Sequence, residues 1–409
     1  MRKLAIVVAT LSLALVAGCG PSGKPADANK PQANPDKPAP ENKPEQPGPT
    51  EVEKPGQWKY QQNLDDAVRW ILDNQKKKGD WGYMSERPND IYLGSINSLH
   101  VFGNASTALC VMGLMAQPET EEIATAIDKG LEYLITAPDT PRATMDTFYN
   151  VWSHAYMVQC LCTAIQDGRY EELKVRLQKR AELELGRLLD HQSLDGGWGY
   201  YDFSQRTKRP SGEISTSFTT AAALVAMHYA RAVDLPLRDH NVQIGLDYLE
   251  RNRVPNGAYF YSTGHKYSPM WDPNLPRGSL GRSQSGDNAL FTWDRTIDQE
   301  TLKKQLDNFF KDHVFIEIGR GRQFPHEAWY ATAPYYYYFG HYYASRNVLA
   351  LKEDIRAEYS NKLAELVVAG QYDDGSFWDY PLYGYTKPYG TGYGAMILSN
   401  LKRAAVTNP

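Results

Sequence analysis

Residues 185–200 read LGRLLDHQSLDGGWGY, and this stretch decides the fold. An amphipathic helix runs into Gln192, and a turn with two adjacent glycines and Trp198 follows. Related stretches occur at residues 67–83 (AVRWILDNQKKKGDWGY), 244–259 (IGLDYLERNRVPNGAY) and 363–378 (LAELVVAGQYDDGSFW). Self-similarity of this kind indicates a repeat of small helical units that bury their apolar faces against one another.

Each turn leads into a second helix of different character, rich in Ala, Thr and Tyr. The pattern predicts six amphipathic outer helices, at about residues 61–75, 121–135, 171–191, 241–252, 298–312 and 353–369. It predicts six more apolar inner helices, at about 104–117, 149–166, 217–232, 284–293, 331–346 and 391–404. A helix that is apolar nearly all round is buried, whereas an amphipathic one faces water. We therefore expect an all-α fold, a single (α/α)6 toroid of six helix pairs over residues 57–409.

The pattern at Gly186, Leu189, Gln192, Gly197 and Trp198 resembles the QW repeat. That repeat marks squalene–hopene cyclases and the β-subunits of protein prenyltransferases, members of the terpenoid cyclase and protein prenyltransferase α-α toroid superfamily. The resemblance covers about residues 57–405. It implies that the repeat residues tie neighbouring helix pairs together and are structural: Gln75, Trp81, Gln192, Trp198, Gln371 and Trp378.

The chemistry of those families is not matched by this chain. Their cyclases protonate the substrate with an Asp-x-Asp-Asp motif, whereas residues 63–66 read NLDD and lack the first Asp. Their prenyltransferases bind zinc through Asp-x-Cys and a later His, and no Asp lies two residues before Cys110, Cys160 or Cys162. We expect no metal and no other cofactor.

The N-terminal segment predicts export. A short basic start and an apolar run from Leu4 to Val16 have the length of a signal peptide, which we assign to residues 1–18. Cys19 follows Val-Ala-Gly and resembles the lipidated residue of a bacterial lipobox. Residues 19–56 contain 10 of the 25 prolines and are expected to be a disordered linker. The chain is thus predicted to be a bacterial cell-envelope lipoprotein, lipid-anchored to the membrane through Cys19 and periplasmic or at the outer membrane.

Composition narrows the choice of ligand. A net charge of −4 argues against nucleic-acid binding. We also expect the protein to be a monomer. The chain has 28 Tyr against 12 Phe and 9 Trp. Because Tyr combines an apolar ring with a polar tip, this excess suits a ring-lined binding surface.

The links between helices predict where a site lies. Those from outer to inner helix are long, at about residues 76–103, 136–148, 192–216, 253–283, 313–330 and 370–390, and the return links are mostly short. In a toroid all six long links surround one end of the central cavity, and long links in compact folds are usually functional. We call this end the mouth.

Residues of the mouth supply rings and titratable groups. The candidate ligand-binding residues are Tyr149, Trp152, Tyr201, Arg282 and Tyr330, and the candidate proton-transfer residues are His154, Asp202 and His326. His154 is the first choice for proton transfer, because its place early on an inner helix should direct it at the cavity; the alternative is a core histidine with its hydrogen bonds satisfied.

Three functions remain open on the sequence. In the first, the toroid binds a small-molecule ligand of isoprenoid type in an aromatic cavity, either as a binding protein or as an enzyme that also transforms it. Alternatively it is a glycan-active enzyme of the polysaccharide lyase or hydrolase type, or a carbohydrate binder. As a third alternative it is a non-catalytic envelope scaffold. A cavity wall made of carbon atoms and aromatic rings favours an isoprenoid ligand. Paired carboxylates in the wall, or Arg together with Tyr or His, favour a sugar ligand. A cavity filled by side chains favours the scaffold.

Overall fold

The computed structural model describes residues 58–82, 96–140, 149–200, 210, 215–381 and 383–406. The expected signal peptide, Cys19 and the linker lie outside the described residues. The described residues form thirteen α-helices and no β-strand beyond isolated bridges. The outer helices are α1 (Gln61–Asp73), α3 (Glu121–Thr136), α5 (Lys174–Asp190), α7 (Asp239–Asn252), α9 (Gln299–Lys311) and α12 (Glu353–Val368). The inner helices are α2 (Ile96–Met115), α4 (Asn150–Gln166), α6 (Ser217–Arg231), α8 (Leu280–Thr292), α11 (Tyr336–Ala350) and α13 (Thr386–Ala405), and a short α10 (Val314–Glu317) follows α9.

The inner helices pack side by side in chain order, and α13 packs against α2 to close the ring. Each outer helix packs against its inner partner. The expected all-α toroid of six helix pairs is therefore confirmed. One segment of α2, Ser98–Met115, is apolar and long enough to cross a membrane, but 89% of it is buried inside the fold. It is the core helix of a toroid, which is apolar on every face for that reason.

Some helix boundaries differ from the predicted ones. Helix α2 begins at Ile96 and α13 at Thr386, both earlier than expected, and α11 begins at Tyr336, later than expected. The polar segment around Asp287 does form an inner helix, α8. Asp287 is fully buried there because it accepts hydrogen bonds from Tyr259 (2.7 Å) and Arg253 (2.8 Å). A polar inner helix is stable when its buried groups are paired in this way.

The turn that follows an outer helix holds two units together. In the third unit Gln192 Nε2 donates to the carbonyl of Gly196 (2.9 Å) and to that of Asn241 on the next outer helix, α7 (2.8 Å). Gly196 has a φ of 94°, a conformation that glycine adopts readily. In the last unit Gln371 bonds in the same way to the carbonyl of Asn63 on α1 (2.9 Å), which joins the two ends of the ring.

An aromatic ring completes the turn in the third and last units. The indole of Trp198 is fully buried and donates to the carbonyl of Leu188 (2.8 Å). Trp378 was expected to be the repeat aromatic of the last unit, and this is wrong. The fully buried Phe377 occupies the position that Trp198 has in the third unit. The backbone N–H of Phe377 donates to Thr391 Oγ1, as that of Trp198 donates to Thr220 Oγ1. Trp378 lies one residue further on.

Tyrosines fill the interior of the ring away from the mouth. Tyr156 on α4 hydrogen-bonds through its hydroxyl to that of Tyr393 on α13. The ring of Tyr342 on α11 lies 5.0 Å from that of Tyr393, and both are almost completely buried. These contacts join α4, α11 and α13 across the interior of the ring.

Candidate functional site

A cavity of about 110 Å³ opens at the mouth, above the tyrosine cluster. One side of it is built by α4, α6 and the links before them, and the residues here are Tyr149, Trp152, Tyr156, Tyr200 and Phe218. The rings of Tyr149 and Tyr200 stack at 5.5 Å, and that of Trp152 stacks on Tyr156 at 5.8 Å. Trp152 also meets Phe339 of α11 across the ring at 5.9 Å, edge to face. These contacts fix the rings as rigid walls.

The other side of the cavity comes from α2, α11, α13 and the links that precede them. Its aromatic residues are Phe102, Tyr335, Tyr336, Phe339, Tyr380, Tyr385 and Tyr389. Ala105, Pro325 and Thr386 complete the wall. The described residues that line the cavity therefore include no charged side chain.

The hydroxyl groups of several wall tyrosines are bonded to protein atoms. Tyr200 is bonded to the Tyr261 hydroxyl (2.6 Å), Tyr380 donates to the Gln323 carbonyl (3.0 Å) and Tyr389 donates to the Tyr335 carbonyl (3.3 Å). Burial raises the pKa of Tyr389 well above its ordinary value. With their hydroxyls engaged and neutral, these residues present ring carbon to a ligand.

Tyr149 and Trp152, expected to bind ligand, both line the cavity. Tyr149 has a φ of 66° and precedes α4, which places its ring over the mouth. Of the four consecutive tyrosines at residues 335–338, the first two line the cavity and the other two face the packing. Tyr201 and Asp202 lie outside the described residues.

The structure contradicts the orientation expected for His154. The imidazole is fully buried between α4 and α5, and its Nδ1 lies 2.5 Å from Glu184 Oε2. Arg180 donates to the other oxygen of Glu184 (2.8 Å). The pKa of Glu184 is lowered by His154 and Arg180, against the opposing effect of burial. A buried ion network on the far side of α4 occupies His154, and the imidazole does not reach the cavity.

His326 lies at the rim beside the cavity wall. Its Nδ1 lies 2.7 Å from the Ala331 carbonyl, and its Nε2 lies 3.2 Å from the Tyr335 hydroxyl. Because a carbonyl only accepts, Nδ1 carries the proton and Nε2 accepts from Tyr335. The surrounding protein and then the charge of Arg282 lower the pKa of His326, although the carbonyl partly opposes them. His326 thus presents Nε2 as an acceptor to one wall tyrosine.

Tyr330 and Arg282 do not line the cavity. The Tyr330 hydroxyl accepts from Arg277 (3.0 Å), and its ring packs on Phe315 at 4.9 Å. Arg282 is almost completely buried at the start of α8, behind the wall residue Tyr336. The helical spacing of residues 335–338 predicts that at most two of these tyrosines line the cavity, as observed, whereas the contribution of α13 was missed although its start is rich in Tyr.

Asp379 is a further buried group near the wall that the sequence did not single out. Its carboxyl is fully buried, and its two oxygens make no hydrogen bond of good geometry within the described residues. Burial raises its pKa to about 8, against the lowering effect of nearby backbone N–H groups and of Arg320. A carboxyl in this state is largely protonated at neutral pH.

Comparison with known proteins supports the fold. The chain matches no protein-family model and no curated protein. Among solved structures it is similar to a sugar epimerase from a ruminal bacterium (TM-score 0.52, 12% identity, 84% of this chain and 97% of that chain). It is also similar to an inactive variant of the α-1,6-mannanase GH76A of Salegentibacter sp. HEL1_6 in complex with α-1,6-mannotriose (0.51, 11%, 84% and 99%). The apo type II terpene cyclase MstE from Scytonema is another such structure (0.50, 14%, 84% and 97%). At these identities the likeness establishes an α-α toroid and nothing finer.

Proposed function

We propose that the toroid binds an apolar ligand of isoprenoid type in the cavity at the mouth. The observation that carries this proposal is the wall itself, in which ring carbon predominates and the hydroxyls of Tyr200, Tyr380 and Tyr389 are bonded to the protein. A hydrocarbon loses no hydrogen bond on entering such a wall, whereas a sugar leaves its hydroxyl groups poorly paired there. The expected resemblance to the QW-repeat families is consistent with this ligand class.

Location and anchoring belong to the same proposal. The chain is a bacterial envelope lipoprotein that acts as a monomer and binds no nucleic acid, held to the inner or outer membrane by the lipid on Cys19. Cells that express the protein should incorporate radiolabelled palmitate into it, and the Cys19→Ser variant should incorporate none. Label that remains in the variant would contradict the assignment of Cys19.

Ligand binding is tested with farnesol as the isoprenoid probe. The protein is the mature chain, residues 19–409, with Cys19→Ser to keep it free of lipid, and calorimetry measures the affinity. Trp152→Ala removes a large wall ring and should weaken farnesol binding by roughly 10- to 100-fold, the loss of burying one such side chain. Trp329→Ala is the matched control, because this indole is 70% exposed and does not line the cavity.

A glycan is the second candidate, and it rests on the His326–Tyr335 contact at the rim. A neutral imidazole bonded to a phenol is suited to proton transfer. The described wall has no pair of carboxylates, which most glycoside hydrolases require. Binding of α-1,6-mannotriose without binding of farnesol would overturn the isoprenoid proposal, and binding of neither would favour the scaffold.

A further inference from the structure

Exposed apolar side chains are concentrated at the mouth end of the toroid. Of the eleven large apolar side chains that are exposed among the described residues, eight lie between an outer helix and the inner helix that follows it. These eight are Leu194, Tyr267, Met270, Trp271, Val314, Phe324, Trp329 and Tyr372. Single exposed apolar residues are ordinary on a protein surface, but their concentration on one side marks a surface that contacts something else.

Five of these side chains come from two consecutive links, and we call them the rim patch. They are Tyr267, Met270, Trp271, Phe324 and Trp329. Residues 272–274 of the first link contact residues 329–331 of the second. Arg277 of the first link also donates to the Tyr330 hydroxyl (3.0 Å) and to the Asp312 carboxylate (3.3 Å) of the second. The exposed side chains of the two links therefore belong to one surface.

The two indoles of the rim patch are held in place by packing. The ring of Trp271 stacks on that of His265 at 4.4 Å, and the ring of Trp329 stacks on that of Phe315 at 6.4 Å. The two tryptophans nevertheless remain 40% and 70% exposed. Each indole thus packs on a neighbouring ring and offers its remaining surface to the outside.

The rim patch borders the opening of the aromatic cavity. Phe324 directly precedes Pro325, which lines the cavity. On the other link the ring of Trp271 lies 6.1 Å from that of Tyr261, whose hydroxyl is bonded to the wall residue Tyr200. An apolar outer surface is therefore continuous with the wall of an apolar cavity.

We propose that the rim patch docks on a lipid bilayer, so that the cavity opens toward the membrane. Trp and Tyr are enriched at membrane–water interfaces, where the ring is in apolar surroundings and the polar tip is hydrated. Met and Phe add apolar area, on which the strength of interfacial binding depends. This inference goes beyond the proposed ligand site, because it concerns a separate surface and names what that surface contacts.

The chain itself supplies the reason to choose a bilayer. Outer helices run toward the mouth, so α1 begins at the opposite end of the toroid, about 20 Å from the mouth along the helix. Residues 19–56 can reach about 100 Å when a Pro-rich chain is extended. A lipid on Cys19 therefore leaves the mouth free to turn toward the same membrane. A glycan is a poorer occupant, because Met270 and Phe324 offer it no hydrogen bond.

Charges on the two links nearly balance. Lys266, Arg277 and Arg322 are exposed, and so are Asp272 and Glu327. Attraction to anionic lipid needs a clear excess of Lys and Arg. We therefore expect docking to depend on apolar contact and to change little with ionic strength.

Vesicle binding without the lipid anchor tests the proposal. The protein is residues 19–409 with Cys19→Ser, the vesicles contain phosphatidylethanolamine and phosphatidylglycerol, and cosedimentation measures the affinity. Combined Met270→Ala and Trp329→Ala, one from each link, should weaken binding by roughly 10- to 100-fold because apolar area is lost. The matched control combines Val175→Ala and Leu183→Ala, at two exposed side chains of α5, and should bind as the wild type.

The outcomes separate this proposal from the ligand site. Absence of vesicle binding by the Cys19→Ser protein, or equal binding by the two double variants, would overturn the docking surface. Binding that requires phosphatidylglycerol and is lost at high salt would show that charge produces it, and would also overturn it. Calorimetry with farnesol in solution should give the same affinity for the rim variant and the wild type. Loss of farnesol binding with vesicle binding kept would overturn the ligand site alone.

Brominated lipids locate the inserted side chains. Bromine on the acyl chains quenches the fluorescence of a tryptophan that enters the bilayer, so the vesicle-bound Cys19→Ser protein should be quenched. Combined Trp271→Phe and Trp329→Phe keeps two apolar rings, so this variant should stay bound and lose most of the quenching. Undiminished quenching would mean that another surface inserts, and would overturn the assignment of the rim patch.

Discussion

Two arginines in the interior of the toroid each lie between two tyrosine rings, but their hydrogen bonds differ. Arg346 donates to the Tyr229 hydroxyl (2.7 Å) and to Asn288 Oδ1 (3.0 Å). Arg282 donates to the carbonyl of Pro273, and its Nε makes no hydrogen bond of good geometry within the described residues. The pKa of Arg346 is raised by neighbouring tyrosines in spite of burial, whereas burial lowers that of Arg282.

The two arginines lie at different depths along the inner helices. Arg346 lies ten residues after Tyr336 on α11, which places it about 15 Å from the mouth. Away from the mouth some interior groups, such as Arg346, are bonded to their neighbours, whereas the Gln159 amide and the Tyr343 hydroxyl make no hydrogen bond of good geometry within the described residues. At the mouth Arg282 Nε and the hydroxyls of Tyr336 and Thr332 make no hydrogen bond of good geometry within the described residues.

The largest loss of stability is expected for a buried side chain whose hydrogen bond and packing are both complete. Trp198→Ala should lower the free energy of unfolding by about 3–5 kcal/mol, the usual cost of deleting a large core aromatic. The indole is fully buried, its Nε1 is bonded to Leu188, and its ring packs against Gly245 of the next outer helix. Urea unfolding measures the change.

Trp329→Ala is the control for this variant, because its exposed indole should change stability by about 0.5 kcal/mol or less. A cost below about 1 kcal/mol for Trp198→Ala would mean that the turn does not hold the units together.

The next effect concerns acid stability. His313 is buried against His341, with 2.9 Å between their Nε2 atoms, and Phe309, Tyr337, Glu317 and Arg320 also face or influence it. Burial lowers the pKa of His313 to about 4. Since this pKa lies below that of the unfolded chain, the unfolded state binds more protons, and stability falls as pH falls from about 6.5 toward 4.

The His313→Gln variant tests this effect. From pH 7 to pH 4 the wild-type protein should lose about 3 kcal/mol more stability than the variant, according to the size of the pKa shift. His240→Gln, at an exposed histidine of α7, is the control and should behave as the wild type. Parallel pH profiles for wild type and His313→Gln would show that His313 is not the group that titrates.

The fold was predictable from the sequence because it rests on local patterns. Period and turn signals determine where an outer helix ends, and residues such as Gln192 and Gly196 act within a few positions of each other. It was harder to predict which residue of the last turn corresponds to Trp198 of the third. Phe377 and Trp378 are adjacent rings, and only the packing of Phe377 shows which of the two is the equivalent of Trp198.

The site was predicted less well, since it depends on which way each side chain of an inner helix faces. The mouth was expected from the long links, and Tyr149 and Trp152 line the cavity there. His154 lies two residues after Trp152 and faces the opposite way, toward Glu184. Residues two apart on a helix point in different directions, and an apolar helix gives no signal to tell the two faces apart.

A smaller effect is expected for the arginine away from the mouth. Arg346→Met removes the donor to Asn288 Oδ1, a buried acceptor, and should lower the free energy of unfolding by about 1–3 kcal/mol. The affinity for farnesol should not change, because Arg346 does not line the cavity. Urea unfolding and calorimetry on the same variant give both values. A variant as stable as the wild type would mean that the bonds of Arg346 contribute nothing.

The smallest effect on stability is expected for Arg282→Met. The variant loses the hydrogen bond to the Pro273 carbonyl and the contacts with two tyrosine rings, but it also removes a buried charge that has no carboxylate partner among the described residues. Replacement of a buried charge by an apolar side chain of similar volume is often neutral or stabilising. We therefore expect the free energy of unfolding to be unchanged or about 1 kcal/mol higher. If unfolding showed Arg282→Met to be less stable than the wild type by more than about 2 kcal/mol, the guanidinium would be a structural group like Arg346, and the two arginines would not differ in their effect on stability.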